Sequence, residues 1–239
     1  MTELERQEML KLNFSLKESY LTISTNISLE PEKIYAVVGP SGAGKSTFLN
    51  LISGFTSISS GSIIWNGQEI NHLPPAKRSV SILFQDNNLF PHLSVWRNLA
   101  LAVTHWPKIS RDNEEKLKAV MSEVGILGLE NRKPSQLSGG QQSRVALARV
   151  LLQKNKILLL DEPFSALGPS LKDQMLELIK KIAKNKKLLV LMVTHEPADA
   201  KKVASQTLVV KDKKVHPPLI TEKALDPING PLADYLLNQ

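Results

Sequence analysis

The sequence contains no cysteine, which excludes a disulfide framework and any thiolate metal site and fits a reducing compartment. Aromatic residues are only 5% of the chain, too few for the base-stacking platforms of single-strand nucleic-acid binders. Long apolar runs are missing as well. The longest, Ile157 to Leu160 and Leu188 to Val193, are far too short to cross a bilayer and read as buried strands. If the protein serves a membrane, another chain does the spanning. Met1 to Gln7 is charged and no apolar stretch follows it, so no secretory signal is expected. Internal repeats and low-complexity tracts are absent too.

What is present fits one large α/β domain, or one domain carrying a smaller lobe, in 239 residues. Apolar residues make up 42% and charged residues 22%, ordinary for a globular chain. The formal net charge of +7 raises the question of a nucleic-acid partner. Its lysines, however, cluster without interleaved aromatics, as in Lys180, Lys181, Lys184, Lys186 and Lys187. A solvated helix face explains them, with attraction to an anionic membrane surface as the alternative, and no nucleic-acid partner is expected.

Residues 9–29 alternate in short apolar and polar stretches, which predicts antiparallel strands. Ile34 to Val38 is a β-rich run ending at Gly39, and a helix is expected from Lys45 to Ser53. Ser62 to Trp65, Asn66-Gly67 and Gln68 to Ile70 form a hairpin pattern around a preferred two-residue turn. Val80 to Phe84 is another strand. From about 91 to 152 the pattern turns helical, with Leu117, Val120, Met121 and Val124 on one face of Glu114 to Val124. A helix from Ser170 to Lys184 is expected to bury Leu171, Met175, Leu178, Ile179 and Ile182. Short apolar strands alternating with amphipathic helices imply a parallel sheet covered on both faces, with 91–152 as an inserted lobe. Trp65, Trp96 and Trp106 read as packing residues, and residues after 215 as a short surface extension.

Two strings carry chemistry. Gly39-Pro40-Ser41-Gly42-Ala43-Gly44-Lys45-Ser46-Thr47 completes the pattern G-x-x-x-x-G-K-S/T between a strand and a helix. Backbone N–H groups of such a loop cradle phosphates, Lys45 would reach the β- and γ-phosphates of a bound nucleoside triphosphate, and the Ser46 hydroxyl would ligate Mg²⁺. Ile157 to Leu160 ends in Asp161-Glu162, placing two carboxylates where ligands of α/β sheets bind. Asp161 is a candidate for holding Mg²⁺ and Glu162 for orienting or deprotonating the attacking water. Further on, 93 residues after Lys45, Leu137-Ser138-Gly139-Gly140-Gln141 opens another helix with N–H groups able to face a phosphate. The five histidines show no metal-ligand spacing.

Together these strings, from about residue 9 to 215, resemble the ATP-binding subunits of ABC transporters. The resemblance implies a P-loop NTPase: a RecA-like parallel sheet core with an antiparallel β lobe and an inserted α-helical lobe. It further implies that Gln85 senses Mg²⁺ and the nucleophilic water, and that His195 contacts the γ-phosphate. Ser138, Gly139, Gly140 and Gln141 would bind nucleotide held by the opposite subunit of a homodimer. Tyr20, 25 residues before Lys45, matches an aromatic that stacks on adenine, although a half-buried hairpin tyrosine accounts for it nearly as well. Asn87 to Val95 corresponds to the region that meets transmembrane permease subunits in importers, and ordinary lobe packing is the competing account.

Phe84 to Phe90, Gly54-Phe55 and Leu73-Pro74-Pro75 are similar to the branch of the family that energises thiamine import. That implies a peripheral protein at the cytoplasmic face of the bacterial inner membrane, served indirectly by a substrate-binding protein. Importers of inorganic anions, iron or polyamines, and exporters, are the alternatives. A chromosome-maintenance ATPase is excluded because 93 residues leave no room for its coiled coil. A translation factor of this type would need two ATPase domains. The family's Ser-Ala-Leu-Asp is Ser165-Ala166-Leu167-Gly168 here, which puts coupling between the two sites in question. Two turns also depart from the family, at Glu32-Lys33 and Asp212-Lys213-Lys214.

Overall fold

The computed structural model describes residues 9–18, 21–104 and 109–237. The first two strands, β1 (Leu10–Lys17) and β2 (Thr22–Leu29), pair antiparallel with Leu10 opposite Leu29. Leu10, Leu12, Phe14 and Leu16 point to the buried side and their neighbours outward, as the period of two requires. Next come β3 (Ile34–Val38) and α1 (Lys45–Ser53), then the hairpin β4 (Ser60–Trp65) and β5 (Gln68–Glu69). Asn66 and Gly67 hold φ of 51° and 75° at its turn, the left-handed pair that a type I′ turn needs.

After β6 (Val80–Leu83) come the helices α2 (Val95–Ala100), α3 (Arg111–Val124) and α4 (Gly139–Leu151). Leu117, Val120, Met121 and Val124 are the buried residues of α3. The chain continues through β7 (Ile157–Asp161), α5 (Pro169–Lys186), β8 (Leu189–Val193), α6 (Pro197–Val203) and β9 (Gln206–Lys211). It closes with β10 (Lys214–Val215), β11 (Leu219–Ile220), α7 (Thr221–Ala224) and α8 (Ala233–Leu236).

The strands follow the order β5-β4-β1-β2-β10-β9-β3-β8-β7-β6, with β11 pairing β9. The run β9-β3-β8-β7-β6 is parallel throughout, and β1, β2, β4 and β5 form the antiparallel lobe. Alternate residues of β7 enter opposite cores. Leu158 and Leu160 join the helical lobe and α5, while Ile157 and Leu159 join α1 and the antiparallel lobe. A strand buried on both faces needs apolar residues at every position, which is why β7 and β8 carry no alternation. Parallel pairing brings the C-terminal ends of β3, β6, β7 and β8 to one edge. Among the described residues no helix is long and apolar enough to cross a membrane.

Two expectations need correction. The buried face of α5 is Lys172, Met175, Leu176, Ile179, Ile182 and Ala183, whereas Leu171 is 42% exposed and Leu178 half-buried. The helix is rolled so that Leu176 and Ala183 enter the core and a lysine takes the place of Leu171. Nor is the stretch after 215 only a surface extension. Leu225 and Leu232 are fully buried, and Tyr235 and Leu236 pack on the core shared by α5 and the helical lobe. Trp65 is buried and Trp96 packs partly buried on that core; Trp106 lies outside the described residues.

Candidate functional site

The glycine loop leaves β3 and turns into α1 through two left-handed glycines, Gly42 and Gly44, at φ of 75° and 98°. Gly39 is glycine for a different reason: a Cβ there would stand 2.1 Å from the carbonyl oxygen of Val210. Such turns aim successive N–H groups inward and present the helix N-terminus to an anion. Lys45 folds back over the loop, its Nζ donating to the carbonyls of Gly39 at 2.8 Å and Pro40 at 3.0 Å. Burial pulls the pKa of this ammonium down, and the charges of Glu162 and Asp161 push it back up.

Ser46 Oγ donates to Asp161 Oδ1 at 3.0 Å, joining the start of α1 to the end of β7. Burial raises the Asp161 carboxyl pKa, the Ser46 hydrogen bond lowers it, Glu162 raises it and Lys45 lowers it. No group of three or more His, Cys, Asp or Glu able to hold a metal occurs among the described residues. A hydroxyl beside one carboxylate nevertheless suits Mg²⁺, which takes few protein oxygens and completes its shell with phosphate and water.

Glu162 adopts φ of 46°, a left-handed conformation that costs a non-glycine residue about 1–3 kcal/mol. Its N–H donates to the carbonyl of Val193 at the end of β8. The turn aims its carboxylate at the next strand end, where His195 Nδ1 lies 3.1 Å from Glu162 Oε2. A carboxylate only accepts here, so the imidazole Nδ1–H donates. Gln85 follows β6, is exposed, and shares a 580 Å³ cleft with Asp161, Phe84, Asp86, Asn88 and Ala166. Lys45, Ser46, Asp161, Glu162, His195 and Gln85 thus stand along one sheet edge. Tyr20 lies outside the described residues.

Ser138 to Gln141 lie apart from this group, at the start of α4 in the helical lobe. Among the described residues no hydrogen bond or ion pair joins them to the glycine loop. Ser138 Oγ accepts from the Gln141 N–H and Gln141 Oε1 accepts from the Ser138 N–H, a reciprocal cap. A Cβ on Gly139 or Gly140 would come no nearer than 3.5 Å to Leu167 or Leu171, an ordinary contact. The protomer itself therefore has no steric need for glycine at either position.

Sequence reasoning missed three groups. Arg149, in the last turn of α4, donates to the carbonyls of Asn88 at 2.6 Å and Asn87 at 3.2 Å and lies over the Phe90 ring. It ties the segment after Gln85 to the helix that begins at Ser138. Asn87 and Asn88 both have positive φ, a local signal that this segment needs external support. Lys172, Glu196 and Asp199 form an ion-pair cluster behind His195. Tyr235 is the third: burial raises its phenol pKa, and the charge of Glu162 raises it further. Beside Gln85, Phe55 is 58% exposed and stacks obliquely on Phe84, and Phe90 is 44% exposed.

Residues 23–165 match the sequence profile of the ABC transporter family. The thiamine import ATP-binding protein ThiQ of Ruegeria sp. (strain TM1040) is 43% identical over 229 residues, covering 95% of this chain and 99% of that protein. The protein of the same name from Photobacterium profundum is 44% identical over 225 residues, covering 94% of this chain and 93% of its own. Among solved structures, the dimeric structure of MJ0796, described as a bacterial ABC transporter cassette, aligns with a TM-score of 0.74 at 26% identity. It covers 89% of this chain and 98% of that one. The structure of cbiO1 from Clostridium perfringens shares the fold with a TM-score of 0.81 at 23% identity, over 96% of this chain and 92% of that one. The chain belongs to the ABC transporter family, among its ATP-binding proteins.

Proposed function

We propose that the chain is the ATP-hydrolysing subunit of a thiamine importer. In this reading it works as a homodimer bound to transmembrane permease subunits at the cytoplasmic face of the bacterial inner membrane. A substrate-binding protein is engaged only through those permeases. The observation that carries hydrolysis is the joining of Ser46, Asp161, Glu162 and His195 across three strand ends. Thiamine as the transported solute is supported by relatives of that printed function at 43–48% identity.

In this mechanism the loop from Gly39 to Thr47 binds the triphosphate of ATP through its N–H groups, and Lys45 exchanges its carbonyl partners for β- and γ-phosphate oxygens. Ser46 and Asp161 would hold Mg²⁺, with Gln85 facing the same cleft, and the ion would supply positive charge to the phosphate oxygens. Glu162 orients the attacking water and accepts its proton. His195, held through Nδ1, presents the rest of its ring to the γ-phosphate.

The separation of Ser138–Gln141 from the glycine loop supports a second copy. Gly139 and Gly140 carry no steric constraint from their own protomer, and glycine is a weaker helix former than alanine. Close approach by a nucleotide held on a partner accounts for both. Phe55, Phe84 and Phe90 offer the membrane subunits an apolar surface beside Gln85.

Hydrolysis by the complex reconstituted in vesicles tests the reading. Thiamine-loaded binding protein is expected to stimulate it. Stimulation by an inorganic anion, iron or a polyamine, and not by thiamine, would overturn the substrate assignment.

A further inference from the structure

The buried face of α5 contains a charge. Lys172 is 7% exposed, in line with Met175, Leu176 and Ile179, and an ammonium at such a place needs partners. Its Nζ donates to Glu196 Oε1 and lies 3.7 Å from Asp199 Oδ2. Both carboxylates belong to the corner that carries His195. Glu196 follows it directly and precedes α6, and its N–H donates to Thr194 Oγ1 at 3.1 Å. Thr194 Oγ1 in turn donates to Asp199 Oδ2 at 3.3 Å. Burial raises the Asp199 carboxyl pKa, and the Lys172 charge is the largest influence lowering it.

The His195 ring stands between two carboxylates. Nδ1 is 3.1 Å from Glu162 Oε2, and Nε2 is 3.7 Å from Glu196 Oε1, the same oxygen that Lys172 holds. Released from Lys172, Glu196 would be a competing partner for the imidazole. One residue away, Leu171 lies against Gly140 of the Ser138–Gln141 corner, so the same turn of α5 touches that corner and the corner that carries His195.

We infer that Lys172 is a positioning residue for hydrolysis, holding Glu196 so that His195 stays aligned with Glu162. The inference rests on the roles given above to Glu162 and His195. It acts on the chemical step and not on nucleotide binding, because the glycine loop makes no contact with Lys172 among the hydrogen bonds and ion pairs described.

The test is steady-state hydrolysis by the full-length chain, with affinity for a fluorescent ATP analogue measured in parallel. Lys172→Met is expected to lower kcat on the order of ten- to a hundredfold, the cost of a small misplacement at a reacting centre, with affinity unchanged. Lys172→Arg, which keeps the charge, should restore most of the rate. The double variant K172M/E196Q should recover activity over K172M, because the competing carboxylate has gone. Wild-type kcat in K172M, or a double variant no faster than K172M, would overturn the inference. If methionine at 172 prevents folding, Lys172→Gln replaces it in both comparisons. Glu162→Gln run alongside separates the two failures: if that variant hydrolyses ATP at the wild-type rate, the site reading has failed and the role of Lys172 falls with it, whereas wild-type kcat in K172M beside an inactive Glu162→Gln overturns the role of Lys172 alone.

Discussion

Glu162 holds its place with a left-handed backbone, and its carboxylate faces polar groups: it accepts from His195, and its charge acts on Lys45 and Tyr235. Replacing its carboxylate with an amide keeps the shape and removes the proposed base. Glu162→Gln is therefore expected to bind ATP normally, with kcat lower by about a hundredfold or more; unchanged kcat would contradict the role. Asp161 yields a prediction about stability. Because burial holds its pKa above the ordinary carboxylate value, the folded state binds this proton more tightly than the unfolded chain does. That contribution is full below the ordinary carboxylate pKa and is lost as pH rises through the raised folded value. Asp161→Asn should thus unfold at a higher temperature than the wild type at neutral pH, lose that advantage in acid, and fail to hydrolyse ATP. Melting curves across pH check it.

Whole elements show the same division between what holds the fold and what serves the site. At the start of α4, Gly140→Ala meets only Leu171 at 3.5 Å, so monomer stability should hold or rise by up to about 1 kcal/mol. ATP-driven dimerisation should be lost. Denaturant unfolding beside sedimentation with ATP separates the two effects. At the start of α5, Gly168 is the N-cap with no side-chain acceptor, and a Cβ there meets nothing within 4 Å. Gly168→Asp is expected to stabilise the chain by a few tenths of a kcal/mol and to quicken hydrolysis or tighten its coupling to transport. Unchanged ATPase and transport would show that the missing carboxylate is immaterial.

Elements with local signals were legible in the sequence. Asn66-Gly67 specified its turn, the apolar run of β7 specified a strand buried on both faces, and the glycine loop specified strand, turn and helix together. The roll of α5 was not legible. Leu171, Met175, Leu178 and Ile182 make a plausible stripe by spacing alone, and only the carboxylates of Glu196 and Asp199, on another element, make Lys172 tolerable inside. Arg149 was hidden in the same way, since its acceptors are backbone carbonyls some sixty residues earlier.

At the scale of the whole molecule, the glycine loop and the Ser138–Gln141 corner stand on different parts of one protomer. The parallel core carries Lys45, Ser46, Asp161, Glu162 and His195 at one edge of its sheet; the helical lobe carries Ser138 to Gln141. The order of the strings along the chain revealed both corners but no distance between them. The C-terminal stretch was hidden for a related reason: Leu225 and Leu232 lie among turn formers without periodicity, and their burial follows from the chain's return along β9 and onto the core shared by α5 and the helical lobe. The central claim is that each complete site is shared between two copies. The most direct test mixes two inactive chains, Lys45→Met, which spoils the glycine loop, and Ser138→Phe, which blocks the helical-lobe corner. Shared sites predict that the mixture recovers ATP hydrolysis, because one site of the mixed dimer has both halves intact. A mixture as inactive as its components, with mixed dimers demonstrably formed, would contradict the account.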